Sequence, residues 1–256
     1  MGSAAFVILP IVALLTATLS GMIGMGGGML LLAALFCVMP HAEAIPAHGA
    51  VQLVSNSTRT LAFLAHVDWR TVGRFTIGLV PGSLVGAGVL LALGQPERAE
   101  PYLKGLVGLY ILTSLVLPTP DAAKARSAWW DFPLLGLLAG AAALTVGAVG
   151  PLIAPLFARR GFVKERLIAT KAVCQSLGHL LKIPAFLALR SYEDLAGLGF
   201  VTLMMAVLVI PGTLLGKKLV KRLSEAGFIT LYRVALLIAG LKVLLVDGVW
   251  QLVSGV

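Results

Sequence analysis

The chain has 256 residues, of which 59% are hydrophobic and 12% charged, and its mean hydropathy is +0.98. A soluble domain carries about 25% charged residues, so the composition excludes that class and points to a polytopic membrane protein. The formal net charge of +9 would suggest nucleic acid in a soluble protein. Here no basic run is interleaved with aromatics, and cationic loops beside anionic lipid headgroups account for the charge.

Residues 9–39 form the first apolar block, interrupted by Gly21-Met22-Ile23-Gly24-Met25-Gly26-Gly27-Gly28. As one straight helix it would be about 45 Å long, against a hydrocarbon core of about 30 Å. The glycines therefore break it, either into a re-entrant hairpin of two half-helices or into a kinked helix. They also expose backbone N–H groups at a helix start, which suits an anion, although close helix packing alone would explain them. No basic stretch precedes this block, so a cleaved leader is not expected. The second segment, 46–66, leaves the membrane at His66-Val67-Asp68-Trp69-Arg70, an interfacial Trp flanked by charges. The third, 72–93, contains Pro81-Gly82-Ser83-Leu84-Val85-Gly86, and a polar loop leads to the fourth, 103–117. Residues 118–126 read as a linker with Pro, Asp, Lys and Arg together.

The second half repeats the plan. Trp129-Trp130 open it as an interfacial belt, and 134–157 is apolar around Gly147-Ala148-Val149-Gly150-Pro151. A basic loop at 159–166, a segment at 168–189, a third at 199–216 and a last at 229–246 follow. Gln52, Asn56, Arg59 and Phe63 recur 123 positions later as Gln175, His179, Lys182 and Phe186. Gly24 and Gly27 recur at the same offset as Gly147 and Gly150, and Pro81-Gly82 returns as Pro211-Gly212 at an offset of 130. The expected fold is an all-α transmembrane bundle of two four-segment repeats. The first repeat is 1–118, the linker 119–128 and the second repeat 129–256. Basic residues concentrate after the fifth and seventh segments, and weaker bias in the first half favours inverted over parallel repeats. Either arrangement leaves both termini on the periplasmic side.

The spacing i, i+4, i+7, i+11 places each polar stripe on one helix face. All eleven carboxylates fall in loops or near segment ends, so the membrane interior holds cations and amides without an acid. A cation carrier normally needs an intramembrane carboxylate; an anion carrier does not. Arg59 and Lys182 are the candidate charges, with snorkelling to the headgroups as the alternative. Gln52, Asn56, Gln175 and His179 are candidate donors, with interhelical bonding as their alternative. His179 is open to a proton-carrying role. Gly26, Gly27, Gly28, Gly147 and Gly150 are candidate backbone donors. Cys37 and Cys174 read as buried hydrophobes rather than a disulfide, and Cys174 beside Gln175 leaves a thiol role open. No cluster has metal-ligand spacing, no catalytic or nucleotide motif occurs, and no cofactor or enzymatic activity is expected.

These residues resemble the TauE/SafE family of membrane permeases, named for sulfite export. The resemblance rests on the glycine break at 21–28, the Asp68-Trp69-Arg70 exit and the Pro-Gly-Ser/Thr-x-x-Gly third segment. It covers nearly the whole chain and is clearer in the first half, the second break being thinned to Gly147-Ala148-Val149-Gly150-Pro151. It implies export of sulfite, a sulfonate or another sulfur-containing anion across a bacterial inner membrane. Alternating access about the stripes, with or without a homodimer, is the expected mechanism, and a passive anion channel is the alternative.

Overall fold

A computed structural model describes residues 5–38, 41–93, 100–116, 128–145, 149–188 and 196–254. Helices make up its regular structure, and no strand occurs among the described residues. The first apolar block is broken as its glycines require, into α1 (Ala5–Ile23) and α2 (Gly27–Phe36). Gly24 and Gly26, with φ of 78° and 87°, take up left-handed conformations that a side chain would strain. Helix α3 (His41–Ala62) starts earlier than the apolar pattern suggests and ends in a 3-10 turn, Leu64–His66. Helices α4 (Trp69–Leu93) and α5 (Glu100–Val116) complete the first half.

In the second half α6 (Asp131–Thr145) and α7 (Gly150–Arg159) stand as separate helices. Gly147, between them, and most of the expected linker lie outside the described residues. Helices α8 (Lys164–Ala188), α9 (Ala196–Val220) and α10 (Glu225–Leu241) follow. The chain continues from α10 through a π-helical stretch, Lys242–Trp250, into α11 (Gln251–Ser254). Among the described residues four stretches are long and apolar enough to cross a membrane: Phe6–Ile23, Trp69–Val89, Gly199–Val220 and Glu225–Trp250. Their exposed faces carry Ile8, Leu15, Ile77, Leu84, Leu203 and Leu245, as lipid contact requires. Helices α3 and α8 are less apolar because they carry the polar stripes.

The chain packs into two compact units, and each takes segments from both halves of the sequence. The first comprises 1–68 and 164–228, the second 69–163 and 229–256. In the first unit α1 lies along α9. A Cβ at Gly21 would come within 2.7 Å of the Thr213 carbonyl oxygen, and Gly212 and Gly216 press on the backbone at Leu14 and Thr18. Contact positions rise together on both helices, so the two run parallel. Leu9, Ala13, Leu31, Val51, Met205 and Val209 form the apolar core beside them.

The second unit uses the same device. Gly78, Gly82 and Gly86 of α4 face Pro133, Leu137 and Ala141 of α6, and Gly136 and Gly140 answer from the other side. These helices are again parallel. Lipid offers no hydrophobic drive for helix association, so backbone-close contact through small residues supplies the van der Waals energy. Gly82 and Gly86 do in one unit what Gly212 and Gly216, 130 positions later, do in the other. Phe132, Phe157 and Phe162 meet edge to face at centroid distances of 5.2–6.0 Å, and the Tyr232 hydroxyl donates to the Ala154 carbonyl. Helix α5 packs on the π stretch, with Gly108 against Leu244 and Gly105 against Gly248. Those pairs run in opposite order, so the strands of this contact are antiparallel.

Candidate functional site

The polar interior lies in the first unit, where α3 and α8 pack together. His48 near the start of α3 meets His179 late in α8 edge to face, with ring centroids 6.1 Å apart. Asp68, just past the other end of α3, donates its backbone N–H to Thr170 Oγ1 at 3.0 Å, early in α8. The two helices are therefore antiparallel, and their polar stripes share one interior.

Helix α3 places its stripe as the spacing predicts. Gln52, Asn56 and Arg59 are all buried, Asn56 completely and Arg59 to 2% exposure. The Arg59 guanidinium turns back along its own helix, where Nη2 donates to Asn56 Oδ1 and Nε donates to the Ser55 carbonyl at 3.4 Å. It is enclosed by protein and does not snorkel. Asn56 Nδ2, Ser55 Oγ and Ser176 Oγ are buried polar atoms with no hydrogen-bond partner among the described residues. Leaving such groups unmatched costs about 1–3 kcal/mol each, so they are a reason to expect a polar occupant.

On α8, His179 is buried and Gln175 half-buried, its Oε1 also without a partner among the described residues. Lys182 holds its register position in α8, and its side chain lies outside the described part. Cys174 is buried with a free thiol.

The glycine break meets both stripes. Gly28 sits against Gln52, whose amide a Cβ would approach to 3.2 Å. Gly27 is pressed on Thr16 and Ser20 of α1, which explains that glycine by packing; Gly26 has open space around its Cβ direction apart from Leu19 at 3.7 Å. His48 Nε2 donates to the Gly28 carbonyl at 2.9 Å, so that nitrogen carries the ring proton. Lys171 Nζ donates to the Gly24 carbonyl at 2.8 Å. Gly150 starts α7 in the second unit.

Sequence reasoning missed His48 and Lys171. Both were within reach of it: one turn before Gln52 and Gln175 the offset of 123 pairs His48 with Lys171, and both side chains hold carbonyls of the same break. Lys171 is 1% exposed, and no Asp or Glu is among the buried described residues. No group of three or more His, Cys, Asp or Glu residues suited to a metal ion occurs among the described residues.

Long apolar helices around an interior with buried basic side chains and, among the described residues, no buried acid fit a multi-pass membrane protein of a transporter kind. The chain belongs to the TauE/SafE sulfite exporter family, whose family model matches residues 9–243. No curated protein and no solved structure matches the chain.

Proposed function

We propose that the protein is a secondary transporter that exports a small sulfur-containing anion, sulfite or a sulfonate, across the bacterial inner membrane. Arg59 supplies charge, and Gln52, Asn56, Gln175 and His179 donate hydrogen bonds. Lys182 adds a second charge from α8, and the N–H groups at Gly26, Gly27 and Gly28 extend the donor set. The single observation that carries this reading is the enclosed Arg59 beside Asn56, in an interior without a buried carboxylate among the described residues.

We further assign two inverted repeats with both termini periplasmic. Equivalent segments of the two halves, α3 and α8, run antiparallel, which supports inversion; parallel repeats would make them run alike. The matching glycine-locked pairs α1 with α9 and α4 with α6 support an internal duplication. The anion crosses by alternating access to this interior from the two sides of the membrane. Export of an anion is downhill by about 2.3 kcal/mol per charge per 100 mV.

Purified protein in liposomes loaded with sulfite or methanesulfonate tests the reading. Efflux should rise with an imposed inside-negative potential and fall by about tenfold or more in Arg59→Gln. Wild-type vesicles that release neither anion, or Arg59→Gln vesicles that match wild type, overturn it. Unitary currents under voltage clamp would replace the carrier with a channel.

A further inference from the structure

Helix α9 ends on a run of cations that the anion site does not employ. Lys217, Lys218, Lys221 and Arg222 follow one another with no acid among them. Backbone bonds from Arg222 N–H to the Leu219 carbonyl and from Leu223 N–H to the Val220 carbonyl hold the last two in a turn at the helix end. Lys217 turns inward. Its Nζ donates to the Ala62 carbonyl, the last of α3, and lies 5.4 Å from the centre of the buried Phe63 ring. Lys218, Lys221 and Arg222 are exposed, and their side chains enter no hydrogen bond or ion pair among the described residues. The acids nearby are committed elsewhere. Asp68, at the same end of the first unit, pairs with Arg166, and Glu225 lies in the first turn of α10, where the helix dipole favours it.

The C-terminus of α9 offers about half a negative charge, less than one of the three exposed cations would need. A fully solvated surface tolerates such a cluster, but this one adjoins lipid. The apolar span of α9 runs from Gly199 to Val220. Lys218 follows Leu214 by four residues and Leu215 by three, so the three share a face of the helix. Leu214 and Leu215 are 45% and 47% exposed. The cations therefore stand where a lipid-facing surface gives way to the headgroup layer. A soluble anion has no use for the leucines; a phospholipid engages both parts, and basic clusters directly beside a spanning helix attract acidic headgroups.

We propose that the end of α9 is a binding site for an anionic phospholipid. Lys218, Lys221 and Arg222 hold the headgroup phosphate, and Leu214 and Leu215 carry the upper part of the acyl chains. The seat adjoins the helix that bears Arg59, because Lys217 fastens the last turn of α3 beside it. The inference does not depend on which anion the protein carries.

The experiment is mass spectrometry of the intact full-length protein released from neutral detergent micelles that contain equimolar phosphatidylglycerol and phosphatidylcholine. Wild type should retain phosphatidylglycerol over phosphatidylcholine by about fivefold or more, the factor that one Lys or Arg near an anionic surface contributes. The triple variant Lys218→Gln, Lys221→Gln, Arg222→Gln should bring the ratio close to one, and the variant with Arg at 218 and 221 and Lys at 222 should keep it. Wild type that retains the two lipids equally overturns the proposal without any variant. A triple variant with the wild-type ratio also overturns it, since the preference then belongs to other cations. Inorganic phosphate in large excess should leave the ratio unchanged; if it displaces phosphatidylglycerol, the cluster receives soluble anions and the lipid assignment falls.

Discussion

The two compact units share a packing device and differ in what they enclose. Each has a parallel helix pair locked through glycines, α1 with α9 in one and α4 with α6 in the other. The first unit buries Gln52, Asn56, Arg59, Lys171, His48 and His179; in the second the buried polar side chains among the described residues are Thr71 and Ser83. What separates them is the remaining pair of helices. The first unit takes α3 and α8, the second segment of each half, and the other takes α5 and α10, the fourth segment of each. The polar stripes therefore lie in one unit, and the described core of the other is mostly apolar. With the polar helices α3 and α8 in one unit and the apolar α5 and α10 in the other, charge is concentrated in one place while the same glycine contacts occur in both.

That contrast can be broken most sharply at Arg59. Arg59→Met should lower sulfite efflux about 100-fold, about 2.8 kcal/mol at 1.4 kcal/mol per tenfold. Its thermal midpoint should hold or rise, because a buried cation carries a desolvation penalty of several kcal/mol that an apolar side chain does not. A stable variant with normal efflux would dissolve the division of labour. In the second unit the expected damage is to the fold. Gly82→Leu forces a side chain onto the backbone of α6 at Leu137 and should cost about 1–3 kcal/mol or more, read as a lower midpoint in detergent with a matching loss of folded yield.

Asn56→Asp sharpens the contrast from within the first unit. It puts a carboxylate against the Arg59 guanidinium, so efflux should fall about tenfold, about 1.4 kcal/mol, without loss of thermal stability. The smallest effect belongs to Asp68→Asn, which removes the ion pair from Asp68 Oδ2 to Arg166, 2.6 Å away. Arg166 is largely exposed, and pairs of that kind contribute about 0–1 kcal/mol. The midpoint should shift by no more than a few degrees, with efflux retained.

The helices, the glycine break and the α3 stripe were legible because each is a local pattern. Apolar runs mark segment lengths, the glycines at 24 and 26 mark a backbone that must turn, and the 52-56-59 spacing marks a face. Lys171 and His48 followed the same repeat, one turn upstream of where the stripe was taken to begin. The grouping of segments was not legible, because hydropathy says which residues avoid water and nothing about which helix they meet. The clue lay in the register of the glycines. Gly78, Gly82 and Gly86 recur every fourth residue on α4, and Gly136 and Gly140 do so on α6, a pattern of two surfaces cut to fit. Charge counts could weigh inversion but lacked the direction of α3 against α8, which depends on contacts 131 positions apart.

The interleaving of segments has a consequence for synthesis. Helix α1 leaves the ribosome well before its glycine-lined partner α9, which starts at Ala196. At about 5–20 residues per second, α1 waits roughly ten seconds or longer for that partner. Neither unit is whole before residue 228 has been made, since one closes there and the other draws on 229–256. The nascent chain thus enters the bilayer as separate helices held by their own backbone hydrogen bonds, and the buried cations of α3 find their enclosure only once α8 and α9 have followed.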